Sequence, residues 1–479
     1  MMKIIDALWI CLLLPFIGMA QPLMADRLET YPAPAGVETK QDFEVKVRIP
    51  GGKWQKIPTY AVKVDRVAQA RHNIEKASLA YFDFAGKVEV QVKSLSAKME
   101  QVRVRPLSYG IKAQQNDSLL TFELDRPHNL SVEVNGDIFH NLHLFANPID
   151  SLRPRKLKSR KDFIYFAPGL HQIPGDSLTI PSGTTVYLAG GAVVKGRLLV
   201  KNAQDVKILG RGIIHPEGRG EGVYIMNSRR VFVDGIITTQ CPTGGSDSVT
   251  IRNVKVISSY GWGDGLNVFA SNNVLMENVF CRNSDDCTTV YATRKGFHGG
   301  CRNITMRHAV LWADVAHPIM IGLHGDVEKN EVMEDLTYRD IDILDHSENQ
   351  LDYQGCIAIN VGDNNLVRRV RFENIRIEDF RKGQLFNMRI FYNKKYCLAP
   401  GRGIHDVLLK DISYNGCGEE LSIIAGYNEE RRVENIRFEN LRINGRLISD
   451  QMADKPKWYK TGDMARIFIG EHVGNVTFE

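Results

Sequence analysis

The chain has 479 residues, of which 43% are apolar and 24% are charged, with a formal net charge of +5 at pH 7. This length predicts two domains, or an elongated repeat architecture that adds length without a larger core. The composition is that of a soluble globular protein. The small charge, with no basic run interleaved with aromatic residues, argues against a nucleic-acid partner.

Residues 1–20 predict a secretory signal peptide. An apolar run extends from Ala7 to Ala20, and the small residues Gly18 and Ala20 permit cleavage before Gln21. A buried helix or a membrane anchor is the alternative. No later segment reaches about 18 apolar residues, so no membrane span is expected. The prediction is therefore a secreted or periplasmic protein.

The cysteine pattern gives no sign of a metal site. Eight cysteines occur, and all except Cys11 lie beyond residue 240. No CxxC pair is present, which argues against zinc. Buried free thiols are the favoured interpretation, and one disulfide in an oxidising compartment is the alternative. No cofactor and no metal are expected, and the oligomeric state is left open.

Residues 27–150 predict an N-terminal β-sandwich. Apolar residues alternate with polar ones in 43–49, 88–95, 101–107, 119–125 and 130–136, with Pro, Gly and Asn between these runs. This is the pattern of short half-buried strands, and an antiparallel sandwich is the simplest fold that buries them. The polar and basic stretch 146–162 follows as a linker.

Residues 163–479 predict a parallel β-helix. A phrase close to "VxMENVxI" returns six times, and its homologous positions are Asn278, His308, Asp340, Asn374, Asp411 and Asn440. A period of this size, made of short β runs between polar turns, is typical of stacked coils. We interpret Asn278, Asn374 and Asn440 as structural residues of a turn ladder. A leucine-rich solenoid would need regular Leu positions and helical segments, and the sequence has neither.

Alignment of the coils places ionisable residues in one column. By their apolar pattern, the runs 264–268, 286–290, 317–321 and 355–359 fall in register. Asp264, Asp286 and His317 then lie on successive coils, with Asp285 beside them. Separately, these residues fit a turn, a solvated loop or a calcium site. Because they share one register, a functional site is the better interpretation.

Clustered carboxyl groups are what hydrolysis of a glycosidic bond requires. One protonated carboxyl donates to the leaving oxygen, and another carboxylate accepts a proton from the attacking water. Crowded like charges raise one pKa and leave another low, so the environment assigns acid and base. Three acids on neighbouring coils leave room for a water, which favours inversion.

The motifs resemble family 28 glycoside hydrolases, the polygalacturonases. "GDG" at 263–265 and "NSDDCTTV" at 283–290 are similar to that family's N-T-D-G and D-D segments. The resemblance implies a right-handed parallel β-helix and inverting hydrolysis. It implies that Asp286 is the general acid, that Asp264 and Asp285 activate water, and that His317 is the histidine of the third segment.

Two departures from this family weaken galacturonate as the substrate. The family's R-x-K pair, which grips a uronic acid, is matched only at Arg389, since Phe391 stands where Lys is expected. The third segment reads "AHPIMIGLHGD" and not G-H-G.

The chain also resembles family 49 hydrolases, the dextranases and isopullulanases. Those join an N-terminal β-sandwich to a β-helix with three catalytic Asp, and "NLHLFANP" (141–148) and residues 310–326 are similar to their segments. This resemblance implies an α-glucan or another α-linked polysaccharide. The candidate substrate-binding residues are Trp262, Trp312, His324, Arg389 and Tyr392.

The resulting hypothesis is a secreted, metal-independent glycoside hydrolase that inverts an α-linked polysaccharide or oligosaccharide. Two alternatives remain open. One is a polysaccharide lyase or epimerase on the same fold, and the other is a carbohydrate-binding β-helix without catalysis.

Overall fold

The computed structural model describes residues 26–68, 71–152, 154 and 159–479. The predicted signal peptide, residues 1–20, lies outside the described residues. Within them the chain is almost entirely β-structure, as the sequence predicts. No helix of the described part is long and apolar enough to cross a membrane.

The N-terminal strands form two sheets. The first has six strands, with the order β1-β5-β11-β10-β7 and with β4 also paired to β5. The second has five strands in the order β3-β2-β6-β9-β8. In β2, every second side chain is buried, as the apolar alternation predicts. The strands are β1 (Arg27–Glu29), β2 (Phe43–Arg48), β3 (Gln55–Ile57), β4 (Tyr60–Ala68), β5 (Arg71–Ala85), β6 (Val88–Ser94), β7 (Val102–Arg105), β8 (Gln114–Asn116), β9 (Leu119–Leu124), β10 (His128–Val134) and β11 (Asp137–Pro148).

The facing sides of the two sheets bury one apolar core, which includes Val45, Phe82, Val90 and Val132. The expectation of a purely antiparallel sandwich is wrong at one pair, because β5 and β11 are parallel. Strand β11 returns beside β5 after β6, β8 and β9 have built the second sheet, and a return of that length permits parallel pairing.

The second region, from β12 to β42, is a parallel β-helix. One sheet contains 29 of its strands, and β33 and β36 pair with each other in a separate two-stranded sheet. All its pairings are parallel except that of β39 with β40. The strands are β12 (Phe163–Phe166), β13 (Gly169–Thr179), β14 (Thr185–Leu188), β15 (Ala192–Lys201), β16 (Gln204–Gly210), β17 (Ile213–His215), β18 (Val223–Met226), β19 (Arg229–Asp234), β20 (Ile237–Thr238), β21 (Thr243–Gly244), β22 (Asp247–Arg252), β23 (Lys255–Ile257), β24 (Leu266–Phe269), β25 (Asn272–Glu277), β26 (Phe280–Asn283), β27 (Thr288–Tyr291), β28 (Cys301–Ala313), β29 (Ile319–Gly322), β30 (Val332–Asp345), β31 (Ile357–Val361), β32 (Leu366–Glu378), β33 (Gly383–Gln384), β34 (Phe386–Ile390), β35 (Gly403–Asn415), β36 (Glu419–Glu420), β37 (Ser422–Ala425), β38 (Val433–Glu439), β39 (Leu441–Ile443), β40 (Arg446–Ile448), β41 (Ile467–Ile469) and β42 (Val473–Phe478).

Each coil of the β-helix adds its strands to the same stacks. One stack, here called the site ladder, runs through β18, β21, β24, β27, β29, β31, β34, β37 and β41. The interior is filled by buried aliphatic side chains from successive coils, such as Val268, Val290, Ile321 and Ile359. Short helical segments lie at Leu107–Tyr109, Leu351–Tyr353 and, as α1, at Thr461–Met464.

The recurring phrase of the sequence marks the same turn in six successive coils. Its residues, here called the turn column, all have φ between 53° and 56°, which is the left-handed region: Asn278, His308, Asp340, Asn374, Asp411 and Asn440. Asn and Asp tolerate this conformation better than most residues. The amide of Asn374 donates to Asp340 at 2.7 Å, and that of Asn440 donates to Asp411 at 2.7 Å. Two of the three predicted ladder residues, Asn374 and Asn440, therefore make the expected side-chain contact with the neighbouring coil.

The N-terminal region packs on the flank of the β-helix through a shared apolar cluster. Tyr60, Val64, Phe145, Phe280 and Trp312 are among its buried members. Strand β4 lies against β23 and β26, which come immediately before the two Asp motifs. The N-terminal region is therefore packed directly behind the strands that carry the predicted site.

The seven cysteines after residue 240 are free thiols, as the favoured interpretation predicts. Six of them are buried and Cys417 is exposed. Burial raises the pKa of Cys241 to about 12, which keeps this thiol protonated and unreactive.

Candidate active site

The site ladder brings the predicted column together. Strand β24 pairs with β27 in the register Leu266↔Thr288, and β27 pairs with β29 in the register Thr289↔Met320. The N–H of Gly265 donates to the carbonyl of Asp286 at 2.8 Å, and the N–H of Cys287 donates to that of His317 at 2.8 Å. Asp264, Asp286 and His317 therefore lie on consecutive coils, one strand spacing of ~4.8 Å apart. This is the register that the apolar pattern predicts.

Two glycines make the close approach of the Asp motifs sterically feasible. A Cβ on Gly263 would lie 2.2 Å from Oγ of Ser284, and a Cβ on Gly265 would lie 2.3 Å from the carbonyl oxygen of Cys287. Any side chain at either position would displace the neighbouring coil. The "GDG" sequence around Asp264 is thus a requirement of stacking.

Asp264 lies at the cleft with a perturbed carboxyl group. Nδ2 of Asn267 donates to its Oδ2 at 2.5 Å. Burial, and then the charge of Asp286, raises the pKa of Asp264 to about 6, against smaller opposing effects of Asn267, Lys295 and Arg294. Asp264 therefore changes protonation within two pH units of neutrality.

Asp285 is adjacent and is held by the backbone. Its Oδ1 accepts the N–H of Asp286 at 3.0 Å. Burial raises the pKa of Asp285 well above its ordinary value, and the charges of Asp264 and Asp286 raise it further. Asp285 thus keeps its proton to a much higher pH than an exposed Asp would.

Asp286 is bound on both carboxylate oxygens. Oδ1 accepts the backbone N–H of His317 at 3.1 Å and lies 2.6 Å from its Nδ1, while Oδ2 accepts the hydroxyl of Tyr291 at 3.1 Å. Only 4% of Asp286 is exposed. Its geometry is therefore fixed from three sides.

His317 is fully buried between two acceptors. Nδ1 faces the carboxylate of Asp286 and Nε2 faces the carbonyl of Tyr353. Burial lowers the pKa of His317, but the charge and hydrogen bond of Asp286 outweigh burial and raise it overall. Since both ring nitrogens face oxygen acceptors, the imidazolium form satisfies this position best. His317 and Asp286 form a buried ion pair in that form.

The acids open into a cleft of about 850 Å³. Trp262 stands at its wall with 79% of its surface exposed. His324 also lines the cleft, edge-on to Tyr291 with ring centroids 4.9 Å apart. Burial, followed by the charge of Arg294, lowers the pKa of His324 to about 3, so this ring is neutral. Trp262 and His324 thus lie where the sequence analysis expects substrate contacts.

The structure does not bring the other three expected contact residues to the cleft. Trp312 has no exposed surface and lies beneath the N-terminal region, with the guanidinium of Arg282 4.1 Å from its ring centroid. Arg389 approaches the carbonyl of Asp352 at 3.5 Å, and Tyr392 lies beside Tyr427, both outside the lining of the cleft. Trp312 packs on the flank because it lies on the part of β28 that stacks on Arg282 of β26 and not on the site ladder.

Sequence reasoning missed several cleft residues. Those that stand nearest the acids or at the walls are His72, Arg219, Tyr291, Arg294, Lys295, Glu348 and Tyr353. A usable signal existed for Tyr291, Arg294 and Lys295, because they end or follow the strand that begins just after Asp286. No local pattern marks His72, which comes from the N-terminal region.

Within residues 26–68, 71–152, 154 and 159–479, no group of three or more His, Cys, Asp or Glu side chains is arranged to hold a metal ion.

Comparison with known families identifies the catalytic class. Residues 226–457 match the model of "Glycosyl hydrolases family 28", a span of just under half of the chain. It contains Asp264, Asp285, Asp286 and His317. The match agrees with the family suspected from the motifs, and the protein is a glycoside hydrolase. No curated protein sequence matches the chain.

Solved structures resemble the chain at low identity. "Dex49A from Penicillium minioluteum" is 13% identical, with 82% of this chain and 91% of that chain covered and a TM-score of 0.47. The "Yersinia enterocolitica Family 28 Exopolygalacturonase" is 13% identical, with 82% of this chain and 96% of that chain covered and a TM-score of 0.49. Neither similarity assigns a substrate.

Proposed function

We propose that this glycoside hydrolase cleaves an α-linked polysaccharide or oligosaccharide in a single displacement that inverts the anomeric carbon. The observation that carries the proposal is the unequal state of three neighbouring carboxyl groups. Burial raises the pKa of Asp285 well above its ordinary value, Asp286 is paired with a buried imidazolium, and the pKa of Asp264 is about 6. Paired groups whose environments drive their pKa values apart are the acid and base of such a reaction.

In this proposal Asp285 is the general acid, and Asp264 and Asp286 orient and deprotonate the attacking water. This assignment exchanges Asp285 and Asp286 relative to the roles that the family 28 resemblance implies. The reason is that His317 and Tyr291 occupy both oxygens of Asp286, whereas burial raises the pKa of Asp285 and so favours the protonated form that a general acid needs. His317 acts as a positioning residue for Asp286.

Inversion is tested by the anomer that forms first. A two-carboxyl inverting site holds its water between the base and the sugar, and the product appears with the opposite anomeric configuration. ¹H NMR of a fresh reaction should show the β-anomer of the new reducing end before mutarotation. Initial appearance of the α-anomer would contradict single displacement.

The charges around the acids favour an anionic sugar among the substrate classes left open. Arg294 and Lys295 are exposed at the cleft, and neither side chain forms an ion pair with any of the described residues. Both stand near enough to Asp264 to lower its pKa. They offer a carboxylate-binding pair at a place other than that of Arg389, where Phe391 is buried and apolar.

A substrate panel tests the activity and the substrate together. Dextran, pullulan, polygalacturonate and rhamnogalacturonan are incubated with the protein, and new reducing ends are measured. We expect cleavage of a galacturonate-containing chain, with a loss of about 10-fold in kcat/KM in the Arg294→Ala, Lys295→Ala double variant. Cleavage of dextran or pullulan alone, unaffected by the double variant, would place the substrate among the neutral α-glucans.

The lyase or epimerase alternative is separated by its products and its metal requirement. A lyase leaves an unsaturated sugar that absorbs in the ultraviolet, and calcium-dependent members lose activity in EDTA. We expect neither result. Export belongs to the same proposal, and the mature protein recovered from the periplasm or medium should begin at Gln21.

A further inference from the structure

The hairpin of β4 and β5 carries a histidine from the N-terminal region into the active-site cleft. His72 lies at the start of β5 and lines the same cavity as Asp264 and Asp285. It lies outside the span that matches family 28. The cleft is therefore completed by a part of the chain that the family model does not include.

The hairpin is anchored to the strand that leads into Asp285. The backbone N–H of Asp65 donates to Oδ2 of Asp314 at 3.4 Å. Asp314 in turn binds Arg282 through two hydrogen bonds of 2.9 and 3.0 Å, and both side chains are fully buried. Because Arg282 lies three residues before Asp285, the position of the hairpin is tied to that of the acids.

A buried carboxylate orients the ring of His72. Nδ1 of His72 lies 2.7 Å from Oδ2 of Asp65, whose side chain has no exposed surface, while 38% of the His72 side chain is exposed. A carboxylate at this distance places the proton on Nδ1. Nε2 then faces away from Asp65, and no other described residue hydrogen-bonds to it.

Nε2 of His72 lies beside the loop that carries Trp262. A Cβ on Gly261 would be 3.1 Å from Nε2. Nη2 of Arg219 donates to the carbonyl of Gly261 at 2.8 Å, and its guanidinium lies 5.5 Å from the centroid of the Trp262 ring. His72, Arg219 and Trp262 thus form one wall of the cleft, with an exposed aromatic face and polar groups at its edge.

We propose that His72 is a substrate-binding residue, which hydrogen-bonds through Nε2 to a hydroxyl of the sugar unit stacked on Trp262. The inference rests on the proposed function, since it assigns a subsite to that cleft. A sugar ring needs both an apolar surface for its C–H face and polar atoms at its edge, and this wall supplies both. The N-terminal region is then part of the substrate site, and Asp65 is the positioning residue for His72.

The test measures binding directly and not only turnover. Calorimetry with oligogalacturonides and isomalto-oligosaccharides of increasing length is carried out in the Asp285→Asn background. His72→Ala should weaken binding of the longer members about 10-fold and leave the shortest bound member unchanged. Asp65→Asn should give a smaller loss on the same members. In the active enzyme, which retains Asp285, the single substitution His72→Ala should raise KM about 10-fold on long substrates and change kcat less than about 3-fold.

The matched control is His140→Ala. His140 belongs to the same region, has 40% of its side chain exposed, binds Asp137 through Nδ1 at 2.9 Å and does not line the cleft. It should have no length-dependent effect. Equal affinities of the His72 and His140 variants at every length would overturn the subsite.

Two further outcomes separate the subsite from the proposed function. Binding that depends on His72, without hydrolysis by the Asp285-containing protein, would retain the subsite and overturn hydrolysis. No binding of either series to either form would overturn both.

Discussion

The turn column and the acid column of Asp264, Asp286 and His317 are built in the same way, with one residue from each coil. In the turn column, amides meet carboxylates: Asn374 donates to Asp340 and Asn440 donates to Asp411, each at 2.7 Å. Each such carboxylate finds a neutral donor on the next coil.

The acid column stacks groups that repel each other. Asp264 faces Asp286 across one strand spacing. Burial, and then the negative charge of Asp286, raises the pKa of Asp264 to about 6. Within the column itself, the next coil supplies the cation, His317. The comparison shows that the same coil geometry can carry either a structural or a functional column. A column of amide–carboxylate pairs stabilises the fold, whereas a column of carboxyl groups without such partners forms a site and lowers stability.

Asp285→Asn, directly beside the acid column, should give the largest difference from the turn column. An amide cannot donate the proton that the leaving oxygen needs, so kcat/KM should fall by about 10²- to 10⁴-fold on the substrate identified in the panel. Asp340→Asn, in the turn column, should leave kcat/KM unchanged. Both variants are first checked for native thermal unfolding. If Asp285→Asn retained activity within 10-fold, Asp285 would not be the general acid.

The pH dependence of activity should distinguish Asp264 from an ordinary carboxylate. The base must be ionised, and Asp264 becomes protonated as the pH falls through about 6. We therefore expect kcat/KM to drop toward about 10-fold per pH unit below that value, measured from pH 4 to pH 8. An acidic limb near pH 4 would mean that Asp264 is not required as a base.

The register of both columns could be predicted from sequence because each depends on local patterns. Inward aliphatic residues such as Val268, Val290 and Ile321 repeat at fixed positions. Left-handed turn residues are restricted to a few residue types, which makes Asn374 and its equivalents recognisable. Stacking then converts these local signals into long-range contacts.

The remaining part of the site could not be predicted because it depends on which flank of the coil a strand faces. Trp312 lies in an apolar strand like those of the site ladder, yet it packs beneath the N-terminal region. His72 reaches the cleft only through docking of β4 and β5, whose strands the sequence analysis did not single out. Arg389 follows the family spacing, but a contact depends on side-chain direction, which the motif does not encode.

Asp264→Asn should stabilise the protein at neutral pH. The pKa of Asp264 is raised in the folded state, so folding binds a proton and stability declines as the pH rises from about 4 through about 6. Removing the charge should raise the free energy of unfolding by about 1–3 kcal/mol at pH 7, with no gain at pH 4. Urea unfolding at both pH values measures this.

The control for Asp264 is Asp205, which is exposed and paired with Arg230. The hydrogen bond from Arg230 lowers the pKa of Asp205, so Asp205→Asn should bring no gain at pH 7. Equal effects of the two substitutions would show that Asp264 does not carry an electrostatic cost in the fold.

Substitutions of Asn374 should have the smallest effects and test the comparison most directly. In Asn374→Ala, alanine must adopt φ 53° without the side-chain hydrogen bond that asparagine makes there. The substitution should lower the free energy of unfolding by about 1–2 kcal/mol. Asn374→Gly should lower the free energy of unfolding by less, because glycine adopts this left-handed conformation without steric strain. Activity should be unchanged in both.

Asn374→Asp places a carboxylate against Asp340 and recreates the acid column on the surface. Because Asn374 is exposed, water and salt screen the repulsion, and the loss should be only about 0.5 kcal/mol and shrink in 1 M NaCl. The stabilisation by Asp264→Asn should persist at that salt concentration, since the acid column lies in a partly enclosed cleft. If salt did not reduce the loss of stability in Asn374→Asp, the destabilisation from stacking two acids would depend on column geometry and not on burial.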